Sequence, residues 1–182
     1  MVLLGGRIIG VTGLVSLGAG MASTLTAATL TVKITESITL NGSAQGSENT
    51  LSIGSIKKIY KRIVTCVDDS DCTIATFKSA THTSDGALDV ENVKYIRVTN
   101  LDDANPINLS LQVDAGEDDS AADESATILI EAGKSFVMGS PSDGVAVSDA
   151  NATIVTTLHN LESLLVDPLS ENVDVEVFIA ST

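Results

Sequence analysis

The sequence predicts an all-β protein: an antiparallel β-sandwich of the jelly-roll or Greek-key type, with an extended N-terminal arm. Three observations carry that reading. Short apolar runs recur with the period of two that a half-buried strand requires, and turn signals interrupt them at intervals of roughly ten residues. The core must be aliphatic, because hydrophobic residues make up 43% of the chain while aromatics make up 3% and Trp is absent. A core of Val, Ile and Leu suits sheet packing. A chain of 182 residues buries one real core without needing a second domain, and the lack of a fixed-period repeat sets a solenoid aside.

Residues 1–28 are a different kind of sequence. They hold six glycines (Gly5, Gly6, Gly10, Gly13, Gly18 and Gly20) and one charge, Arg7, among Val, Leu, Ile and Ala. The outline is that of a secretory signal with a small-residue exit near Gly20-Met21-Ala22. A membrane span is disfavoured, since glycine weakens a helix and Arg7 interrupts the apolar run. Read as a retained segment, it is an arm with too little side chain of its own to offset the entropy of ordering, so it is expected to pack on a neighbouring subunit. The expected contact residues are Leu3, Leu4, Ile8, Ile9, Val11, Leu14, Val15 and Leu17.

The body, residues 29–182, reads as strands. Leu30, Val32 and Ile34 alternate with Thr31, Lys33 and Thr35, and Ile38 and Leu40 carry the phase to Asn41-Gly42, a hairpin turn signal. Residues 41–49 form a polar tract expected to be a loop or hinge. Leu51–Ile53 and Ile56–Val67 follow as strands. Lys57, Lys58, Lys61 and Arg62 crowd the second of them, either as a solvated strand face or as a contact for an acidic partner surface. Cys66 and Cys72 enclose a short acidic loop whose expected hairpin partner is Thr73–Phe77; the spacing allows a small-loop disulfide and equally two free thiols.

The centre is the clearest part. Val93–Thr99 alternates with both faces partly apolar, Asp102–Pro106 breaks the run, and Ile107, Leu109, Leu111 and Val113 then alternate strictly with Asn108, Ser110 and Gln112. This reads as one hairpin. Ile128–Ile130 and Ser135–Met138 read as a second pair, with Gly133 supplying the positive φ of the turn. Ile154–Val166 fits a helix through Leu158, Leu161, Leu164 and Leu165, and fits short strands through Thr156, Thr157 and the Asp167-Pro168 break. Val173, Val175, Val177 and Ile179 close the chain as a strand inside a sheet.

With 24 acids against 10 bases, a formal charge of −14, the overall balance argues against the basic surface that phosphate contacts need, so nucleic acid is not an expected partner. Such acidity suits a particle exposed to the outside medium. The supply of catalytic groups is thin. His82 and His159 have no metal-ligand spacing to another His or Cys, and no nucleophile elbow, phosphate loop or paired-Cys zinc signature is present. No catalytic residue and no cofactor is expected. Asp68, Asp69 and Asp71, with Asp114 and Asp118, are the weak Ca²⁺ candidates: they offer hard oxygen ligands, yet follow no EF-hand spacing.

The run Val93–Asp102, then Asn105–Val113 and Ile130-Glu131-Ala132-Gly133-Lys134-Ser135-Phe136, resembles small virion proteins of marine tailed phages, including those of cyanobacteria. In them a strand ending in a Thr-Asn-Leu-Asp turn is paired with a later Gly-Lys/Glu-Ser-Phe turn. The resemblance covers about a quarter of the chain, rests on structural turns, and transfers no catalytic residue. It implies a virion accessory role, in capsid decoration or in the neck or tail. The leading expectation is therefore a non-enzymatic virion structural protein that forms homo-oligomers, contacts other virion proteins and assembles through its N-terminal arm, away from membranes. The alternative is a secreted bacterial surface or fimbrial filament subunit. A Ca²⁺-dependent glycan-binding domain is disfavoured because Tyr60, Phe77, Tyr95, Phe136 and Phe178 are the whole aromatic supply.

Overall fold

The computed structural model describes residues 25–79, 86–114, 124–148 and 154–182. The expected arm contacts from Leu3 to Leu17, and also His82 and Asp118, lie outside the described residues. Among the described residues the chain is all-β: β1 (Ala28–Thr35), β2 (Thr39–Leu40), β3 (Ser43–Ala44), β4 (Glu48–Ile56), β5 (Lys58–Cys66), β6 (Cys72–Lys78), β7 (Leu88–Asp89), β8 (Val93–Asn100), β9 (Ile107–Asp114), β10 (Glu124–Ile130), β11 (Ser135–Met138), β12 (Asn160–Pro168) and β13 (Val173–Ser181). A 3-10 turn, Val90–Asn92, leads into β8.

Two sheets face each other across one core. The first has the order β10-β9-β12-β6-β7 and the second β11-β8-β13-β5. All pairings are antiparallel except the short one between β6 and β7. Ile74, Phe77, Ile107, Leu109, Leu161 and Leu164 point inward from the first sheet and meet Ile96, Val98, Val173, Val175, Val177 and Ile179 from the second. The arrangement is sandwich-like, and its aliphatic filling is what a chain without Trp must use. β13 lies between β8 and β5, inside its sheet as its alternation predicts.

Three expected hairpins are instead corners where the chain changes sheet. β8 belongs to one sheet and β9 to the other; β10 and β11 are divided likewise, and so are β5 and β6 across the cysteine loop. Alternation cannot separate these cases, because a strand buries one face toward the shared core from either side. Ile154–Val166 contributes no helix: from Asn160 it is strand β12. Its misleading spacing has a definite cause. The register of β12 on β9 steps from Leu161–Val113 to Ser163–Gln112, so Glu162 is an extra, bulged residue. The bulge turns Leu161 and Leu164, three apart in sequence, toward the same core. Ahead of β12, Val145 forms an isolated antiparallel bridge with His159.

Candidate functional site

A long hairpin formed by β1 and β4 makes a two-stranded sheet of its own on the outer face of the four-stranded sheet. Its register runs from Leu30–Ile53 through Val32–Leu51 to Thr35–Glu48. Residues 41–49, expected as a loop or hinge, are its tip and returning strand: β2 pairs with β3 around Asn41 and Gly42, both with positive φ (50° and 79°), as a two-residue hairpin turn of the primed type requires. Below the tip, Gln45 N donates to Ile38 O at 2.9 Å and Glu36 N to Ser47 O at 2.8 Å. A Cβ at Gly46 would run into the Glu36 carbonyl oxygen, so glycine is what lets the strands cross there.

At the hairpin's root, β4 breaks register between Ile53 and Ile56, with Ser55 at φ 62°, and the break brings both isoleucines onto the seat. Ile56, Tyr95 and Ala180 are buried there, with Leu30, Val32, Ile53 and Phe178 packed around them. The Tyr95 and Phe178 rings meet edge to face, 6.1 Å between centroids and 72° between planes. The Arg97 guanidinium lies 6.0 Å from the Phe178 centroid and donates to Glu176, which Lys61 approaches at 3.3 Å. Burial acts to raise the Glu176 pKa, but the Arg97 hydrogen bond and then Lys61 outweigh it, so the carboxyl sits below its ordinary value.

The distal half of the hairpin has no such seat. Ile34 and Leu51 are 50% and 52% exposed, and Ile38 and Leu40 are exposed beyond them. A mostly apolar groove of about 230 Å³ runs between this face and the sheet, lined by Val32, Ile34, Leu51, Tyr95 and Val137. On the opposite edge of that sheet β5 is outermost. There Ile59 and Ile63 are 52% and 60% exposed, among the basic residues Lys57, Lys58, Lys61 and Arg62.

The outer face of the five-stranded sheet carries a polar cleft of about 190 Å³, lined among others by Asp71, Asn108, Gln112, Thr127 and Asp167. It offers amides, hydroxyls and two carboxylates. The Ca²⁺ candidates do not converge on it. Asp71 borders the cleft beside Asn108, whereas Asp114 stands at the other end of β9, opposite Asn160. Six residues of strand, about 20 Å, separate Asn108 from Asp114. Asp68 and Asp69 sit in their own turn, where Asp69 N donates to Asp68 Oδ1 and Asp68 N to Asn172 Oδ1, each at 2.9 Å. Among the described residues no group of three His, Cys, Asp or Glu side chains is placed to hold a metal ion. His159 pairs through its backbone with Val145. Cys66 and Cys72 are free thiols at the corner between the sheets; burial and then a hydrogen bond with Cys72 push the Cys66 thiol far above its ordinary value.

Sequence reasoning missed the residue that ties the sheet corners together. Asn100 is fully buried at the end of β8. Its Nδ2 donates to Asn105 O at 2.8 Å and Ile130 O at 3.2 Å, its Oδ1 accepts from Asp102 N at 3.0 Å, and its own N–H donates to Lys134 O at 3.0 Å. Thr99 and Ser135 hydroxyls meet at 2.9 Å beside it. The Thr-Asn-Leu-Asp and Gly-Lys-Ser-Phe turns are thus hydrogen-bonded neighbours; the only signal for it in the sequence was an Asn ending an apolar strand. Compared with known proteins, the chain matches no family model, no curated protein and no solved structure.

Proposed function

We propose that the chain is a non-enzymatic structural subunit that assembles with copies of itself, in the virion setting that the resemblance of its two turns implies. The observation that carries this is the hairpin: a two-stranded sheet seated only at its root, with its apolar face running out into solvent at Ile34 and Leu51. A two-stranded sheet is marginal in water without a covering layer, and exposed apolar patches rimmed by polar residues mark protein contacts. The closed core supports a rigid carrier for that contact. The repeated change of sheet at the corners favours the jelly-roll relation within the sandwich class. Residues 1–28 would extend the contact surface as an apolar arm.

Sedimentation velocity of the full chain across the micromolar range tests the reading. A defined oligomer is expected, and a monomer at every concentration would overturn it. Deleting residues 2–28 then isolates the arm: weakened assembly is expected, and unchanged assembly removes the arm from the contact. The virion setting is tested on purified particles by counting copies of the chain, where hundreds indicate a capsid coat and about a dozen the neck or tail; absence from particles refutes it.

A further inference from the structure

Building on the assembly reading above, we propose that the contact is head to tail: the distal apolar face of the β1–β4 hairpin, centred on Ile34 and Leu51, docks on the outer face of β5, at Ile59 and Ile63, in a second copy of the chain. The two patches lie at opposite edges of one sheet. The order β11-β8-β13-β5 places Val137, which lines the hairpin groove, on the first strand, and the Ile59–Ile63 patch on the last. The distal half of the hairpin, beside one edge strand, is thus offered to the open edge of the next copy.

Charge selects the same partner. Residues 57–62 contain four of the ten bases and no acid, in a chain that carries 24 acids elsewhere. The complement of a basic strip on so acidic a protein is another surface of the same protein. On the hairpin, Glu36 follows Ile34 on the same face, whereas Glu48, across from Thr35, points to the other face, where Lys33 pairs with it at 2.9 Å. An apolar pair bordered by Glu36 therefore faces an apolar pair flanked by Lys57 and Lys61, the bases that share the face of Ile59 and Ile63. A two-fold contact through Ile59 and Ile63 would instead set Lys57 and Lys61 against their own copies, which is repulsive. A contact between two different patches repeats, closing into a ring or running on as a filament.

The test uses two doubly substituted full chains, Ile34→Asp with Leu51→Asp and Ile59→Asp with Ile63→Asp, read by sedimentation velocity and by thermal unfolding. All four side chains are half exposed or more, so native-like unfolding is expected; Thr replacements at the same sites, which keep strand propensity, serve if an Asp variant unfolds early. Each variant alone is expected to assemble about thirtyfold more weakly or worse, the scale of losing an interface hot spot. Mixed together, the two retain one good hairpin and one good edge between them, so they are expected to reach a weak dimer at most and nothing larger. Variants that assemble like the parent overturn the head-to-tail contact while leaving the assembly reading intact. A mixture that assembles beyond a dimer also overturns it. A parent chain that never assembles removes both.

Discussion

Replacing Asn100 tests whether one buried amide holds the corners of the two sheets together. In Asn100→Ala the side chain's three hydrogen bonds vanish: those to the carbonyls of Asn105 and Ile130, and that from the Asp102 N–H. Each is worth about 1 kcal/mol net, and stranding a buried donor or acceptor adds about 1–3 kcal/mol. The site is closed to solvent, so little of this is recovered by water. A loss of about 3–5 kcal/mol follows, which at a slope of about 2 kcal/mol/M lowers the urea midpoint by about 1.5–2.5 M. Asn100→Asp sharpens the test. The carboxylate still accepts from Asp102 N, but it aims a negative oxygen at two carbonyl oxygens, so at neutral pH it should cost at least as much as Ala. As pH falls and the carboxyl gains a proton it donates again, and the deficit relative to the parent should shrink. Equilibrium urea unfolding followed by two probes measures both variants. A loss under about 1 kcal/mol for Asn100→Ala, or a pH-independent deficit for Asn100→Asp, would refute the reasoning.

Tyr95→Ala removes the ring on which the hairpin root sits, 5% exposed and in contact with Phe178, and should cost about 3–4 kcal/mol while making residues 35–47 cleavable by protease; resistant hairpin and unchanged stability would deny the seat its role. Glu176 and Asp102 both have folded pKa values below their unfolded ones, so each contributes stability that is present above about pH 4.3 and is lost as pH falls through the folded pKa. The causes differ. At Glu176 the raising effect of burial is outweighed by Arg97 and then Lys61, whereas at Asp102 the backbone N–H groups of Asn105 and Ala104 lead. Glu176→Gln should therefore flatten the acid limb of a stability–pH profile, and an unchanged limb counts against the ion-pair geometry. Cys66, buried and with its thiol pushed up, should resist iodoacetamide at pH 8 until urea opens the sandwich; mass spectrometry showing it labelled as fast as a free thiol would contradict that environment.

Legibility in the sequence followed what each element depends on. β9 was readable in full, since Ile107, Leu109, Leu111 and Val113 alternate and all four are buried. β13 was readable as an interior strand for the same reason. The division of β8 from β9 and of β10 from β11 between sheets was not, because it depends on corner geometry held by Asn100 rather than on alternation. β12 was obscured by one bulged residue, Glu162, which gave a strand the leucine spacing of a helix. The acidic candidates illustrate distance of another kind: Asp71 and Asp114 look alike as loop carboxylates, yet β9 holds them at opposite ends of a sheet.

The hairpin shows how far alternation reaches. Leu30, Val32 and Ile34 form one apolar series, but the first two lie on the seat of their own sheet while Ile34 does not. Sequence marks a face to be covered without saying which molecule covers it. The energetics then constrain the assembly. Ile34, Leu51, Ile59 and Ile63 have already buried about half of themselves, so covering the remainder yields about 1 kcal/mol each, about 4 kcal/mol in all. Association costs about 4 kcal/mol or more in lost freedom, so one such contact is weak by itself. A head-to-tail ring escapes this, because closure adds a further contact without a further loss of independent motion. Assembly built this way should be cooperative, passing from monomer to closed ring over a narrow concentration range with little dimer between. A dimer populated over a broad range would mean that the hairpin contact is strong alone, and that the surfaces holding it extend beyond these four side chains.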